Sequence, residues 1–164
     1  MKKLYTLLIL TVMVFGCDNE KKELITEYDN VAKKSDSIKT VHEDMVSHHS
    51  QMINEHNKFT EEWEGMELKD SSIFENIREH GMMLERHDAV LQSHKEIMEA
   101  QDNATPNFED LSNIEISEKI DKMKAWHERM RNDHEMMKNE HEKIMQEHKS
   151  VKERLLMDTK EELK

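Results

Sequence analysis

Residues 127–148 read HERMRNDHEMMKNEHEKIMQEH. Set on a helix, four histidines fall seven apart, at His127, His134, His141 and His148. Met130, Met137 and Ile144 follow the first three of them by three residues. This is a heptad with His at position a and Met or Ile at d, where a coiled coil ordinarily carries Leu, Ile and Val. The pattern occurs twice more. His42, His49 and His56 are followed by Met45, Met52 and Phe59, and His80, His87 and His94 by Met83, Val90 and Ile97. Of the 11 histidines only His48 lies off these three seams. Random placement of each later histidine among seven heptad slots would give this alignment on the order of once in a million. The seam therefore decides the fold.

Composition agrees. The 164 residues contain 3 Gly and 1 Pro, and 37% are charged. Few turns and no sheet are compatible with that, so long helices are expected. Aromatic residues make up 5%, too few for a thick globular core. The apolar supply runs in narrow stripes, as in a coiled-coil-like bundle. A net charge of −12 argues against nucleic acid as a partner and favours attraction of cations.

The N-terminus reads as an export signal. Lys2 and Lys3 form a basic start, and Leu4 to Phe15 is an apolar run too short for a comfortable membrane span. The run ends at Val14-Phe15-Gly16-Cys17, and Cys17 is the only cysteine. This resembles the signal peptide and lipobox of bacterial lipoproteins, with Val14 where Leu is usual and Phe15 where Ser or Ala is usual. The resemblance implies a signal peptide over residues 1–16 and cleavage before Cys17. It also implies a covalent lipid on Cys17 and a membrane-anchored place in the bacterial cell envelope. Residues 17–22 read as the lipidated cysteine and a charged tether, and a lone cysteine excludes an internal disulfide.

Residues 23–164 are expected to form an all-α, elongated, up-down-up antiparallel three-helix bundle with a His/Met-lined core. Helices are placed at about 23–64, 72–101 and 113–161. Gly65 is a natural stop for the first helix. Ser72-Ile73-Phe74-Glu75 and Ser112-Asn113-Ile114-Glu115 are capping boxes that open the other two. Short connections favour antiparallel neighbours. The pairs 42/94, 49/87 and 56/80 share one index sum, centred on Leu68 in the first connection. The pairs 94/127, 87/134 and 80/141 centre between Asp110 and Leu111, late in the second connection, where a shift by one heptad is open. The layers expected are His42/His94/His127, His49/His87/His134 and His56/His80/His141. His148 falls outside them, level with Trp63 and Ile73. His48 is expected to be exposed and incidental. Trp63 and Trp126 flank the columns as plugs. One geometric reservation applies: antiparallel coils often set a beside d′, which would interleave histidines with Met and Leu.

Three imidazoles pointing inward from three helices match a three-His metal site with an open fourth position. Residues three and four apart share a helix face, so Met45, Met52, Met83, Met130 and Met137 each accompany a seam histidine. Thioether with imidazole suits copper, and imidazole alone also suits zinc or nickel. Glu55, Glu79, Asp133, Glu140 and Glu147 each precede a seam histidine and are placed to orient an imidazole through its second N–H. In design this is similar to copper-storage helical bundles lined by thiolates, with His and Met in place of Cys; no family motif carries residues across.

The expected partners are metal ions and, through the lipid, a membrane; the same seam would also serve a homo-oligomer. The competing reading is a metal-free structural or pH-responsive rod in which neutral imidazoles hydrogen-bond to one another. A partner-binding helical module would need an exposed apolar face beyond the seam. No nucleophile triad, phosphate loop or H-E-x-x-H motif is present, so an enzyme is not expected.

Overall fold

In a computed structural model the chain forms three helices, α1 (Lys2–Trp63), α2 (Ser72–Asn103) and α3 (Asn113–Glu162). The structure describes the backbone of residues 2–63, 72–104 and 106–162, and the side chains of residues 19–63, 72–104 and 106–156. Among them there is no strand; a single 3-10 turn at Phe108–Asp110 interrupts the second connection. The helices hold 62, 32 and 50 residues. Such length follows from a chain rich in Glu, Lys, Met and Leu, all good helix formers, with almost no breakers. The side chains of the signal peptide and of Cys17, and the Gly65 stop, lie outside the described residues.

The expected tether departs from its expectation. Residues 19–22 continue α1 without a break. They contain neither Gly nor Pro, and the side chains of Glu20 and Lys21 have partners. Lys21 Nζ donates to the Leu111 carbonyl at 2.8 Å, and Asn113 Nδ2 donates to Glu20 Oε2 at 3.0 Å.

The chain divides into two compact units, residues 1–39 with 98–129 and residues 40–97 with 130–164. The first unit has an ordinary apolar core. Val31, Ile116, Ile120 and Met123 are buried, with Leu24, Tyr28, Phe108 and Leu111 packed against them. The Tyr28 and Phe108 rings meet edge-on at 5.0 Å. The second capping box forms: the Ser112 amide donates to Glu115 Oε2 at 2.8 Å, and the Glu115 amide returns to Ser112 Oγ at 3.3 Å. These bonds hold the Glu115 carboxyl below its ordinary range.

In the second unit α1 and α3 run parallel and α2 runs against both. Contacts between α1 and α3 keep a constant offset of 92 residues, whereas α2 numbers fall as α1 numbers rise. Layers of histidine alternate with apolar layers. Met52, Leu84 and Ile144 form one apolar cluster, and Phe59, Trp63, Ile73 and Val151 another.

The phase of α2 differs from the sequence reading. Leu84, Leu91 and Met98 are buried, while Met83, Val90 and Ile97 are only half-buried. The histidines of α2 therefore occupy d, and its leucines occupy a. An antiparallel pair sets a beside d′, so this phase is what brings the α2 histidines level with those of α1. The geometric reservation raised by the sequence is thereby met rather than violated.

Gly81 stands inside α2, and a Cβ there would lie 3.6 Å from His56 Nε2, an ordinary contact. Gly81→Ala is expected to raise stability by about 1 kcal/mol, the helix-propensity gain. Urea denaturation of the metal-free chain would measure it, and a loss of stability would show that the site needs the missing side chain.

Candidate metal centre

The layered packing places nine histidines in three buried triads: His42/His94/His134, His49/His87/His141 and His56/His80/His148. In each triad one ring nitrogen per residue lies within 4.8 Å of the others. All three lie in the second unit. In every layer the α3 imidazole turns Nε2 toward the Nδ1 atoms of the other two. The separations are 3.3 and 3.4 Å in the first layer, 3.0 and 3.1 Å in the second, and 3.2 and 3.4 Å in the third. Nitrogens bound at 2.0–2.1 Å to one tetrahedral ion would lie about 3.3 Å apart. Two of the three donor separations in each layer are thus already close to coordination spacing.

Pairing between α1 and α2 is that read from the sequence; α3 is displaced by one heptad. His127 belongs to no triad. It is half-buried in the first unit and hydrogen-bonded at 2.8 Å to Ser35 Oγ. His148, placed outside the layers by the sequence reading, completes the third triad and stacks on Phe59 with ring centroids 3.9 Å apart. A repeat of seven makes neighbouring heptad registers nearly equivalent, so the ends decide. The observed register gives His127 a hydroxyl partner. It also sets Val151, not a histidine, against Trp63 and Ile73.

The outer ring nitrogens have partners of their own. His80 Nε2–H donates to Glu147 at 2.6 Å, His87 Nε2–H to Glu140 at 2.5 Å and His94 Nε2–H to Asp133 at 3.0 Å. These carboxylates lie on α3 and serve the histidines of α2, not their own sequence neighbours. Glu55 and Glu79, singled out with them, are exposed. Asp88 Oδ1 lies 3.1 Å from His49 Nε2, close but out of line for a hydrogen bond. The Nδ1 atoms of His48 and His141 are 3.1 Å apart. His48 is exposed, yet it is not incidental, because it reaches the outer nitrogen of a buried triad member.

Each bond to a carboxylate fixes a tautomer. With its proton on Nε2, an α2 histidine presents a bare Nδ1 lone pair to the core. A metal ligand needs that lone pair. A hydrogen-bonded ladder instead needs a proton on one of the inward nitrogens. The same imidazoles are within hydrogen-bonding distance of one another, so the triads are competent for either.

Protonation is opposed. Burial, then the neighbouring imidazoles, lower His134 and His148 to about 4 and His141 to about 3. His42, His49 and His56 are also lowered, burial being the largest cause. Burial followed by Lys34 lowers His127.

The methionines divide. Met52, Met130 and Met137 are buried, whereas Met45 and Met83 are half-buried. Met52 packs against Leu84 and Ile144 as core filler. Trp63 is buried beside Phe59; Trp126 is half-buried. Among the described residues no helix is long and apolar enough to cross a membrane. No family model, curated protein or solved structure matches the chain.

An unfolded histidine titrates near 6.5. Below that pH the unfolded chain takes up protons that the folded protein refuses at the α1 and α3 members of the triads, so stability falls as pH falls toward 4. His134, His141 and His148 each contribute a loss of up to about 3 kcal/mol by pH 4. Urea midpoints of the metal-free chain are expected to be level above pH 7.5 and to drop steeply between pH 6.5 and 4. A midpoint unchanged down to pH 4.5 would contradict a neutral imidazole core.

Proposed function

We propose that this is a lipid-anchored protein of the bacterial envelope that binds and buffers a transition-metal ion in imidazole layers of a helical bundle. The observation that carries the reading is the convergence of three buried histidines, one per helix, three times over. Its role is binding rather than catalysis. The converging donors are nitrogens, a set suited to copper or zinc. Copper was favoured by the accompanying thioethers; Met52 acting as core filler weakens that ground and strengthens divalent ions, Cu(II) or Zn(II). The anchor rests on the lipobox resemblance at Cys17.

A second reading keeps the bundle metal-free, its layers joined by histidine hydrogen bonds. The His–His distances of 3.0–3.4 Å support it directly. Buried neutral imidazoles in a core are costly compared with leucine, however, and a cation supplies the missing compensation.

Metal analysis of protein purified without chelating resin, followed by titration of the stripped protein with Cu(I), Cu(II) and Zn(II), separates the two. Binding of up to three ions per chain is expected, one per triad. His87→Leu should remove one ion while leaving the metal-free protein as stable as before or more so. No binding tighter than about micromolar would reject the metal reading. Separately, Cys17→Ser is expected to move the protein from the membrane fraction to the aqueous one; unchanged partitioning would reject the lipid anchor.

A further inference from the structure

The three triads look alike from inside and differ from outside. In the central layer every imidazole has an acceptor beside its outer nitrogen, hydrogen-bonded at His87 and His141 and out of line at His49, and each acceptor comes from a different helix. Glu140 of α3 accepts from His87 of α2. Asp88 of α2 lies against His49 of α1. His48 of α1 lies against Nδ1 of His141 of α3. The acceptors thus run in a closed cycle around the bundle.

The flanking layers break the cycle. Seven residues from Asp88 stand Lys95, which can only donate, and Gly81, which has no side chain. Seven before His48 stands Val41, which cannot accept, and His134 Nδ1 in that layer is buried without a hydrogen-bond partner among the described residues. Seven after it stands Glu55, which is exposed. Only the α3 carboxylates recur, as Asp133 and Glu147.

This difference decides where the protons sit. Each neutral imidazole carries one proton on one of two nitrogens. An outer acceptor draws that proton outward. In the central layer bonded acceptors draw the His87 and His141 protons outward, and the Asp88 carboxylate 3.1 Å away attracts that of His49. Bare lone pairs then face one another, His141 Nε2 lying 3.0 and 3.1 Å from the Nδ1 atoms of His49 and His87. Such a set repels itself and is relieved by a cation. In the first layer His134 has no outer acceptor. Its proton can sit on Nε2 and bond to the Nδ1 of His42 or His94, which satisfies the layer without a cation.

We propose that the central layer, His49/His87/His141, is the primary site, filled first by a transition-metal ion. His48 is its positioning residue: it holds the His141 proton on Nδ1 and so frees Nε2 toward the ion. The ranking rests on the metal-binding reading above. Outer partners of metal-bound histidines are typically worth 10- to 100-fold in affinity, enough to separate one layer from its neighbours.

The test uses the full chain with Zn(II) against a chromophoric chelator, together with histidine-selective nitrogen NMR of the metal-free protein. His48→Ala is expected to weaken the first zinc equivalent 10- to 100-fold and to move the His141 proton from Nδ1 to Nε2. His48→Asn, whose Oδ1 falls where Nδ1 was, should restore both. His134→Leu should leave the first equivalent unchanged. Zinc bound with equal affinity in wild type and His48→Ala overturns the ranking alone, as does loss of the tightest site in His134→Leu. A bare His141 Nδ1 in the wild-type protein overturns the role given to His48. A wild-type chain that takes up no zinc overturns both the ranking and the reading beneath it.

Discussion

The structure depends on a shortage of protons. Nine imidazoles face one another in three buried layers, and each neutral ring has one proton to place. Burial, then neighbouring rings, resists charging of the α3 members His134, His141 and His148, most strongly at His141. A proton committed to a carboxylate outside is therefore missing from the contact inside. The second unit is a core in which satisfying the periphery leaves the centre short of donors, and that tension is what gives the site its chemistry. A leucine seam would carry no such tension and would be the safer choice for stability alone.

The bundle tolerates these layers because others lie between them. Met52, Leu84 and Ile144 close the space between the second and third triads, and Phe59, Trp63, Ile73 and Val151 close the end beyond the third. In the other unit Val31, Ile116, Ile120 and Met123 form a seam free of histidine. Apolar layers supply the burial that holds the helices together, and the polar layers fix the phase of the helices within a heptad, since a smaller slip would set histidine against Met and Leu. Register matters here because a slip by one heptad would preserve most contacts. Ser35 opposite His127 and Val151 beside Trp63 remove that degeneracy at the two ends.

Much of this was legible in the sequence. The period of seven fixed helical geometry, the composition excluded sheet, and the Ser112–Glu115 pattern marked the start of α3. The pairing of α1 with α2 followed from the position of the turn. Three things were not legible. The α3 register was ambiguous because a heptad repeat looks the same after a shift of seven, so His127 and His148 exchanged roles. The phase of α2 was misread because His-x-x-Met and His-x-x-x-Leu both lie on one face, and Met83 drew attention from Leu84. The tether was misread because a charged run looks solvated until its partners, such as the Leu111 carbonyl for Lys21, are brought near. His48 could have been found. It occupies the same heptad position before a seam histidine as Asp133, Glu140 and Glu147, and only its being a histidine hid it among the rest.

Charge sets a final condition on what the layers can hold. Successive triads are seven residues apart, about 10 Å along the helices. Two divalent ions at that separation would repel by about 7 kcal/mol at an effective dielectric of 20, a penalty that only nearby carboxylates can offset. The central layer has two in contact, Asp88 and Glu140, which together balance one divalent ion. The flanking layers each have one, Asp133 or Glu147. Arg86 hydrogen-bonds Glu140 at 3.2 Å and Lys143 lies 3.6 Å from Glu147, so each offsets part of that carboxylate's charge. The central layer therefore has one more carboxylate beside its imidazoles than either flanking layer. Asp88 and Glu140 thus act twice in the central layer, as acceptors that draw protons outward and as charges that favour a cation.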